Sequence, residues 1–187
     1  MSRILSPKDA AVLASWEGGY QLKPYSDGKG FSICAGHQIL ASENYLFNGA
    51  TVSQCNGIFG KDQKKYSDIV NSNINNVDSL PDNEYAALVF HTYNTGGSET
   101  LFKMVNDKRP KQEVFDWWTT HWLWGTLNGE PVPLNKRRKR QAEYYMGTTG
   151  ATFIIAENFV YRNKGWIVAA TVLTGIGAGY FVWKKLK

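Results

Sequence analysis

The sequence predicts an α+β protein: one small sheet lobe near the N-terminus, a mainly helical lobe behind it, and an apolar tail. Three observations carry this reading. Glycines and aromatics crowd between Tyr20 and Ile39 around a Ser26-Asp27-Gly28-Lys29-Gly30 turn signal. Helix start and stop signals recur from residue 51 to residue 147. Residues Gly165 to Trp183 then run for 19 positions without a charge.

The elements follow in order. Ser6-Pro7-Lys8-Asp9 opens a helix with a hydroxyl cap, proline at the first position and an acid at the third. Ala10, Leu13, Ala14 and Trp16 continue it, and Gly18-Gly19 end it, which puts Glu17 at its C-terminal end. Residues 20–39 read as a small irregular hairpin or sheet. A long helix is expected from Thr51 or Ser53 to about Asn75. Leu80-Pro81-Asp82-Asn83-Glu84 starts another, which carries Ala87, Leu88, Phe90 and His91 to about Asn94 before Gly96-Gly97 break it. Leu101, Met104 and Val105 suggest a short helix, and Gln112 to Leu123 a further one. Residues Gly125 to Pro133 read as loop, Lys136 to Met146 as a basic helix, and Gly147 to Gly150 as a break. The organisation is therefore a domain at 1–150, a connecting segment at 151–164, a membrane-spanning helix at 165–183 and a basic tail at 184–187.

Length and composition bound the function. The 187 residues suffice for one ordinary domain plus an appendage, and 43% hydrophobic with 20% charged residues excludes wholesale disorder. The net charge of +5 invites a nucleic-acid reading, but Arg162, Lys164, Lys184, Lys185 and Lys187 account for all of it, and residues 1–160 are neutral. The excess flanks the apolar stretch, where basic residues serve membrane anchoring, so no nucleic-acid partner is expected. A hydrocarbon core of ~30 Å takes ~20 apolar residues as helix. Tyr161, Trp166, Tyr180 and Trp183 lie near the ends of the stretch, where aromatic rings prefer the interface, and membrane lipid is the expected partner. Gly175 and Gly179 form a small-xxx-small pair open to helix self-association, against plain tolerance of glycine in a membrane helix. The N-terminal residues contain no apolar signal-peptide core.

The chemistry concentrates between Glu17 and His37. Glycoside hydrolysis needs one carboxyl that stays protonated to serve the leaving oxygen and a second, ionised, that activates water or attacks the sugar. Glu17, beside Trp16 at a helix end, suits a partly apolar setting; Asp27, in a polar glycine-rich turn, suits the ionised role. On residue types alone these two acids are equally a solvated helix-end acid and a turn former.

The motif decides between those readings. Glu17-Gly18, Leu22, Tyr25, Asp27, Gly30, Ser32-Ile33 and Gly36-His37 resemble the opening motif of the phage-type lysozymes, glycoside hydrolase family 24. Asn83 to Phe90 with Tyr93-Asn94-Thr95-Gly96, and Leu134 with Arg137-Arg138 and Gln141-Ala142-Glu143, are similar to two later segments of that family. The resemblance covers about residues 5–148 and implies a lysozyme-like fold. It implies that Glu17 is the general acid, Asp27 the base side of the pair and Ser32 the water-positioning hydroxyl. Tyr25 and Asn94 become candidate substrate contacts, and His37 and Cys34 structural residues near the site. The implied reaction is hydrolysis of the β-1,4 bond between N-acetylmuramic acid and N-acetylglucosamine in peptidoglycan, with inversion and with no metal or cofactor. Inversion requires carboxyl groups ~6.5–9.5 Å apart. The rival readings are a lytic transglycosylase and an inactive wall-binding or membrane-structural protein.

Three departures stand out. Serine replaces threonine at Ser32. One extra residue lies before Tyr25, and one fewer between Asp27 and Ser32. Cys34 occupies a glycine-like position. Cys34 and Cys55 are too few for a disulfide-built scaffold and are expected as separate small thiols. Trp117, Trp118, Trp122 and Trp124 are expected mostly in the core, a sugar platform being the alternative. Lys136 to Arg140 is expected to be a solvated face, with anionic polymers or lipid headgroups as the alternative. For localisation the reading favours a virion membrane, where no signal-peptide export is needed, over the host inner membrane with the lytic domain facing the wall.

Overall fold

In the computed structural model the described residues are 2–28, 30–127 and 130–155, with two short strands at 166–167 and 184–185. Helix α1 (Pro7–Glu17) forms where the sequence signals it. The Ser6 hydroxyl accepts the Asp9 amide, and Gly18 closes the helix at φ 88°. Strands β1 (Gln21–Ser26), β2 (Phe31–Cys34) and β3 (His37–Gln38) make an antiparallel sheet in that order. Gln21 faces Cys34 while Tyr25 faces Ser32, so three residues of β1 lie opposite the single residue Ile33 of β2. This bulge spans Leu22 to Pro24, where a proline without an N–H is tolerated, and takes up the insertion before Tyr25.

A 3₁₀ segment at Ala41–Asn48, which periodicity did not single out, leads to α2 (Val52–Asn73), whose Thr51 and Gln54 form a reciprocal cap. Helix α3 (Asp82–Thr95) is buried at every position from Glu84 to Thr92 and forms the hub of the helical lobe. Helices α4 (Glu99–Asn106), α5 (Lys111–Thr120) and α6 (Asn135–Met146) pack around it. The Trp16 and Phe90 rings meet edge to face at 5.0 Å, and the Tyr144 hydroxyl donates to buried Asp9 at 2.5 Å, so α1 is fixed to both α3 and α6. A second, smaller core of Ile33, Cys34, Leu46 and Cys55 lies under the sheet.

The structure corrects several expectations. Residues 125–133 are not loop: β4 (Trp124–Leu127) pairs with β5 (Glu130–Pro133). The Asn128-Gly129 dipeptide between them is a strong hairpin signal, hidden in the sequence by Pro131 and Pro133, which a two-stranded ribbon tolerates because every strand is an edge. Helix α5 stops at Thr120, short of Leu123, because His121 turns to extended backbone at φ −118° and ψ 154° and Trp122 follows at a left-handed φ of 57°. Residues 151–155, expected as connector, are helical and bury Ala151 and Ile154 in the main core. Cys34 and Cys55 are disulfide-bonded, not separate thiols, and tie β2 to the first turn of α2.

Of the apolar stretch 165–183, only Trp166–Ile167 (β6) is described, and it pairs antiparallel with Lys184–Lys185 (β7). A continuous helix over that interval would hold its ends about 27 Å apart, so the expectation of helix fails at these ends. The rest of the stretch, including Gly175 and Gly179, lies outside the described residues. Among the described residues no helix is long and apolar enough to cross a membrane.

Candidate active site

Glu17 is the last residue of α1, and its carboxylate forms an ion pair with Arg137 of α6, both side chains being mostly buried at 16% and 14% exposed. The Arg137 guanidinium also lies 5.6 Å above the Trp16 ring. The setting is therefore charged as well as aromatic, which adds an arginine to the partly apolar setting expected for Glu17. The other carboxylate oxygen presses on the turn after β2: a Cβ on Gly36, which sits at φ 78°, would lie 3.2 Å from Glu17 Oε2. Glycine is required at 36 by backbone conformation and by this close approach alike.

Asp27 sits in the β1–β2 turn. Its Oδ1 accepts the Gly30 amide at 2.9 Å and its Oδ2 accepts the buried Ser32 hydroxyl at 2.6 Å. Ser32, expected to hold a water, is thus committed as a donor to the carboxylate and fixes its orientation. The displaced spacing has not carried Asp27 away from Ser32. Both carboxylates are consequently tied to one stretch of chain, Asp27 at Ser32 and Glu17 at Gly36, and four residues span at most about 14 Å. Tyr25 faces Ser32 across the β1–β2 pair.

His37 and Cys34 secure this stretch from behind. His37 Nδ1 meets Asp62 of α2 and Nε2 meets Glu43 of the 3₁₀ segment, each at 2.9 Å. The hydrogen bond to Asp62 raises its pKa, and the Glu43 bond and both charges outweigh the opposing effect of burial. For Glu43, burial pushes upward, but the His37 and Leu40 hydrogen bonds prevail and the carboxyl is lowered. The Tyr93 hydroxyl donates to the Ala35 carbonyl at 2.8 Å and is driven far up, by burial first and by the Glu17 charge second.

Beside Arg137, the Arg138 side chain is fully buried and bridges three elements. It donates to Asn94 at the end of α3, to Gln141 at 2.7 Å and to the Trp122 carbonyl at 3.1 Å. Burial, then the Arg137 charge, bring its pKa down to about 9, against the pull of Glu17. Beneath it, buried His91 accepts the Trp118 indole N–H at 3.1 Å and is pushed to about 3 by burial, so it stays neutral. The basic run is therefore not a uniform solvated face. Arg137 and Arg138 point inward, while Lys136, Lys139 and Arg140 line an outer hollow of about 480 Å³ with Phe115 and Thr119. The inward pair was the part of the site that residue counting missed. The signal lay in the helical spacing of Arg138, Ala142 and Tyr145, which share a buried face. The tryptophans also divide: Trp118 is core, whereas Trp122 and Trp124 are 50% and 68% exposed, which corrects the core expectation for those two.

Residues 14–143 match the phage lysozyme family, a span that includes Glu17, Asp27, Ser32, Asn94 and the two arginines. The chain belongs to the phage lysozyme family. This lysozyme is accordingly a glycoside hydrolase that acts on peptidoglycan. Solved structures agree on the fold. An endolysin from Escherichia coli O157:H7 phage FAHEc1 superposes with a TM-score of 0.60 at 23% identity, over 80% of this chain and 98% of that one. The muramidase domain of SpmX from Asticaccaulis excentricus gives 0.60 at 21% identity, over 78% and 99%. A variant of P22 lysozyme gives 0.58 at 20% identity, over 77% and 99%. No curated protein matches the chain.

Proposed function

We propose that this lysozyme hydrolyses the β-1,4 bond between N-acetylmuramic acid and N-acetylglucosamine with inversion, Glu17 acting as general acid and Asp27 as base. The observation that carries this is the shared anchoring of two carboxyls in opposite settings on one strand and its turn. Glu17 is wedged between Arg137 and the Gly36 turn; Asp27 is held open in a polar turn by Ser32 and Gly30. Glu17 protonates the glycosidic oxygen, and Asp27 takes a proton from the water that attacks the opposite face of the sugar. Ser32 keeps the Asp27 carboxylate aimed, and Tyr25 and Asn94 contact the glycan. Arg137 positions the Glu17 carboxyl, which takes up from solvent the proton it donates once substrate displaces that ion pair.

The test is loss of turbidity of permeabilised cells with wild type, Glu17→Gln and Asp27→Asn, followed by product analysis. Lysis lost in both variants, with reducing-end products of inverted anomeric configuration, is the expected result. Full activity of Asp27→Asn, or 1,6-anhydro ends in the products, refutes the two-carboxylate mechanism and points to a transglycosylase.

The apolar stretch 165–183 is proposed to attach the enzyme to a membrane, in the virion or in the host envelope, where wall cutting serves infection or release. The support is compositional: 19 uncharged residues between basic flanks. Recovery of the full chain in the lipid fraction after alkaline extraction is expected. Recovery in the soluble fraction rejects attachment, and absence from purified particles rejects the virion assignment. Pairing through Gly175 and Gly179 is expected to show as cross-linked dimers that Gly175→Leu abolishes.

A further inference from the structure

Trp122 and Trp124 stand out on the surface of this protein. Two indoles, 50% and 68% exposed, lie within three residues of each other, and large aromatics left uncovered together mark a contact surface. Trp122 is also one of the few non-glycine residues in the left-handed region, at φ 57°, where a bulky side chain costs about 1–2 kcal/mol. That conformation is held from inside. The buried Arg138 guanidinium binds the Trp122 carbonyl, and the Leu134 amide binds the Leu123 carbonyl at 2.6 Å. The same guanidinium takes Asn94 Oδ1, which leaves the amide Nδ2 as the atom with which exposed Asn94 can serve a ligand. Arg138 is the chain neighbour of Arg137, whose partner is Glu17. The backbone of Trp122 and the candidate general acid are thus held by two consecutive arginines of α6.

We propose that Trp122 and Trp124, with Asn94, which shares the Arg138 guanidinium with the Trp122 carbonyl, form a saccharide-binding platform for N-acetylated sugars of the glycan strand beyond the scissile bond. The proposal rests on the glycan-cutting reading of Glu17 and Asp27. The apolar face of a pyranose covers an indole, and the amide-bearing edge of an N-acetyl sugar offers a carbonyl to the Asn94 amide. The two tryptophan Cα atoms are at most about 7 Å apart along the chain, so one glycan segment reaches both. The buried Arg138 makes the platform rigid relative to the acid, as positioning of a polymer requires.

The experiment uses the full-length Glu17→Gln protein, which holds substrate without cutting it, and the β-1,4 hexamer of N-acetylglucosamine as probe. Affinity is measured by titration calorimetry for the parent, for Trp122→Gly and for Trp124→Ala. Glycine suits φ 57°, so Trp122→Gly removes the indole without straining the turn; Trp122→Asn, which also tolerates that region, is the second variant should the first melt early. Weakening of about fivefold for each indole, with melting temperatures held near the parent, is expected. Unchanged affinity in the variants, or a parent that ignores the hexamer, overturns the platform. So does indole emission that responds to phosphatidylglycerol vesicles and not to the hexamer, which assigns the surface to lipid. Hexamer binding that depends on both indoles in a wild type that lyses no cells sustains the platform and sinks the lytic reading alone.

Discussion

Opening the Cys34–Cys55 bond is the perturbation whose size the structure sets most directly. The bridge closes a loop of 21 residues that runs from the end of β2 through β3 and the 3₁₀ segment to the first turn of α2. Cross-linking a loop of that length removes about 11 cal/mol/K from the unfolded chain, or about 3 kcal/mol at room temperature. For a domain of this size that is about 6–12 °C in melting temperature. Both cysteines are fully buried, so mild reductant is expected to act only in partial denaturant, and the oxidised and reduced forms are then compared by calorimetry. A second effect separates the cross-link from the backbone. Cys34 sits at φ 57°, so Cys34→Gly with Cys55→Ala should melt above Cys34→Ala with Cys55→Ala by about 1 kcal/mol, although both lack the bond. Reduced and oxidised forms that melt within about 2 °C of each other would refute the loop-closure argument. A glycine variant melting below the alanine variant would refute the reading of Cys34 as a glycine-like position.

The other predictions concern the strand and turn that carry the carboxylates. Gly36→Ala and Gly19→Ala both place a methyl at a positive φ, but only at Gly36 does that methyl meet Glu17; nothing lies within 4 Å at Gly19. Comparable losses of about 1–2 kcal/mol are expected in thermal melts, with a lysis rate down more than about tenfold for Gly36→Ala alone. Equal activity in the two variants would show that the Glu17 approach to the turn is immaterial. For His37 the sign is fixed by the raised pKa: the folded state holds the proton more tightly. Its contribution is present in full below the ordinary histidine value and fades as pH rises through the raised one. The lowered Glu43 acts in the opposite direction, its contribution fading as pH falls below the ordinary carboxylate range. His37→Gln should therefore cost most stability between those limits and flatten the melting temperature above neutrality. A variant whose melting curve parallels that of wild type from pH 5 to pH 9 contradicts this.

Much of this enzyme is local in origin. Ser6-Pro7 and Gly18 bound α1 and so put Glu17 at a helix end; Thr51 with Gln54 starts α2; Asp27-Gly28 turns the hairpin. Capping, glycine conformation and periodicity act over a few residues, so the sequence displays them directly, and the stretch from Glu17 to His37 carries the resemblance that makes Glu17 and Asp27 the candidate pair. What pairs with those carboxyls was not legible. Arg137 lies 120 positions from Glu17, and although the family-like segment includes Arg137-Arg138, only helix packing turns these two inward and leaves Lys136 and Lys139 outside. The Cys34–Cys55 bond and the uncovered Trp122 and Trp124 likewise depend on where α2 and α6 come to rest. Short-range rules fix where an element starts and which residues share its face. Only long-range packing decides which faces meet, because the burial that brings them together is indifferent to sequence distance.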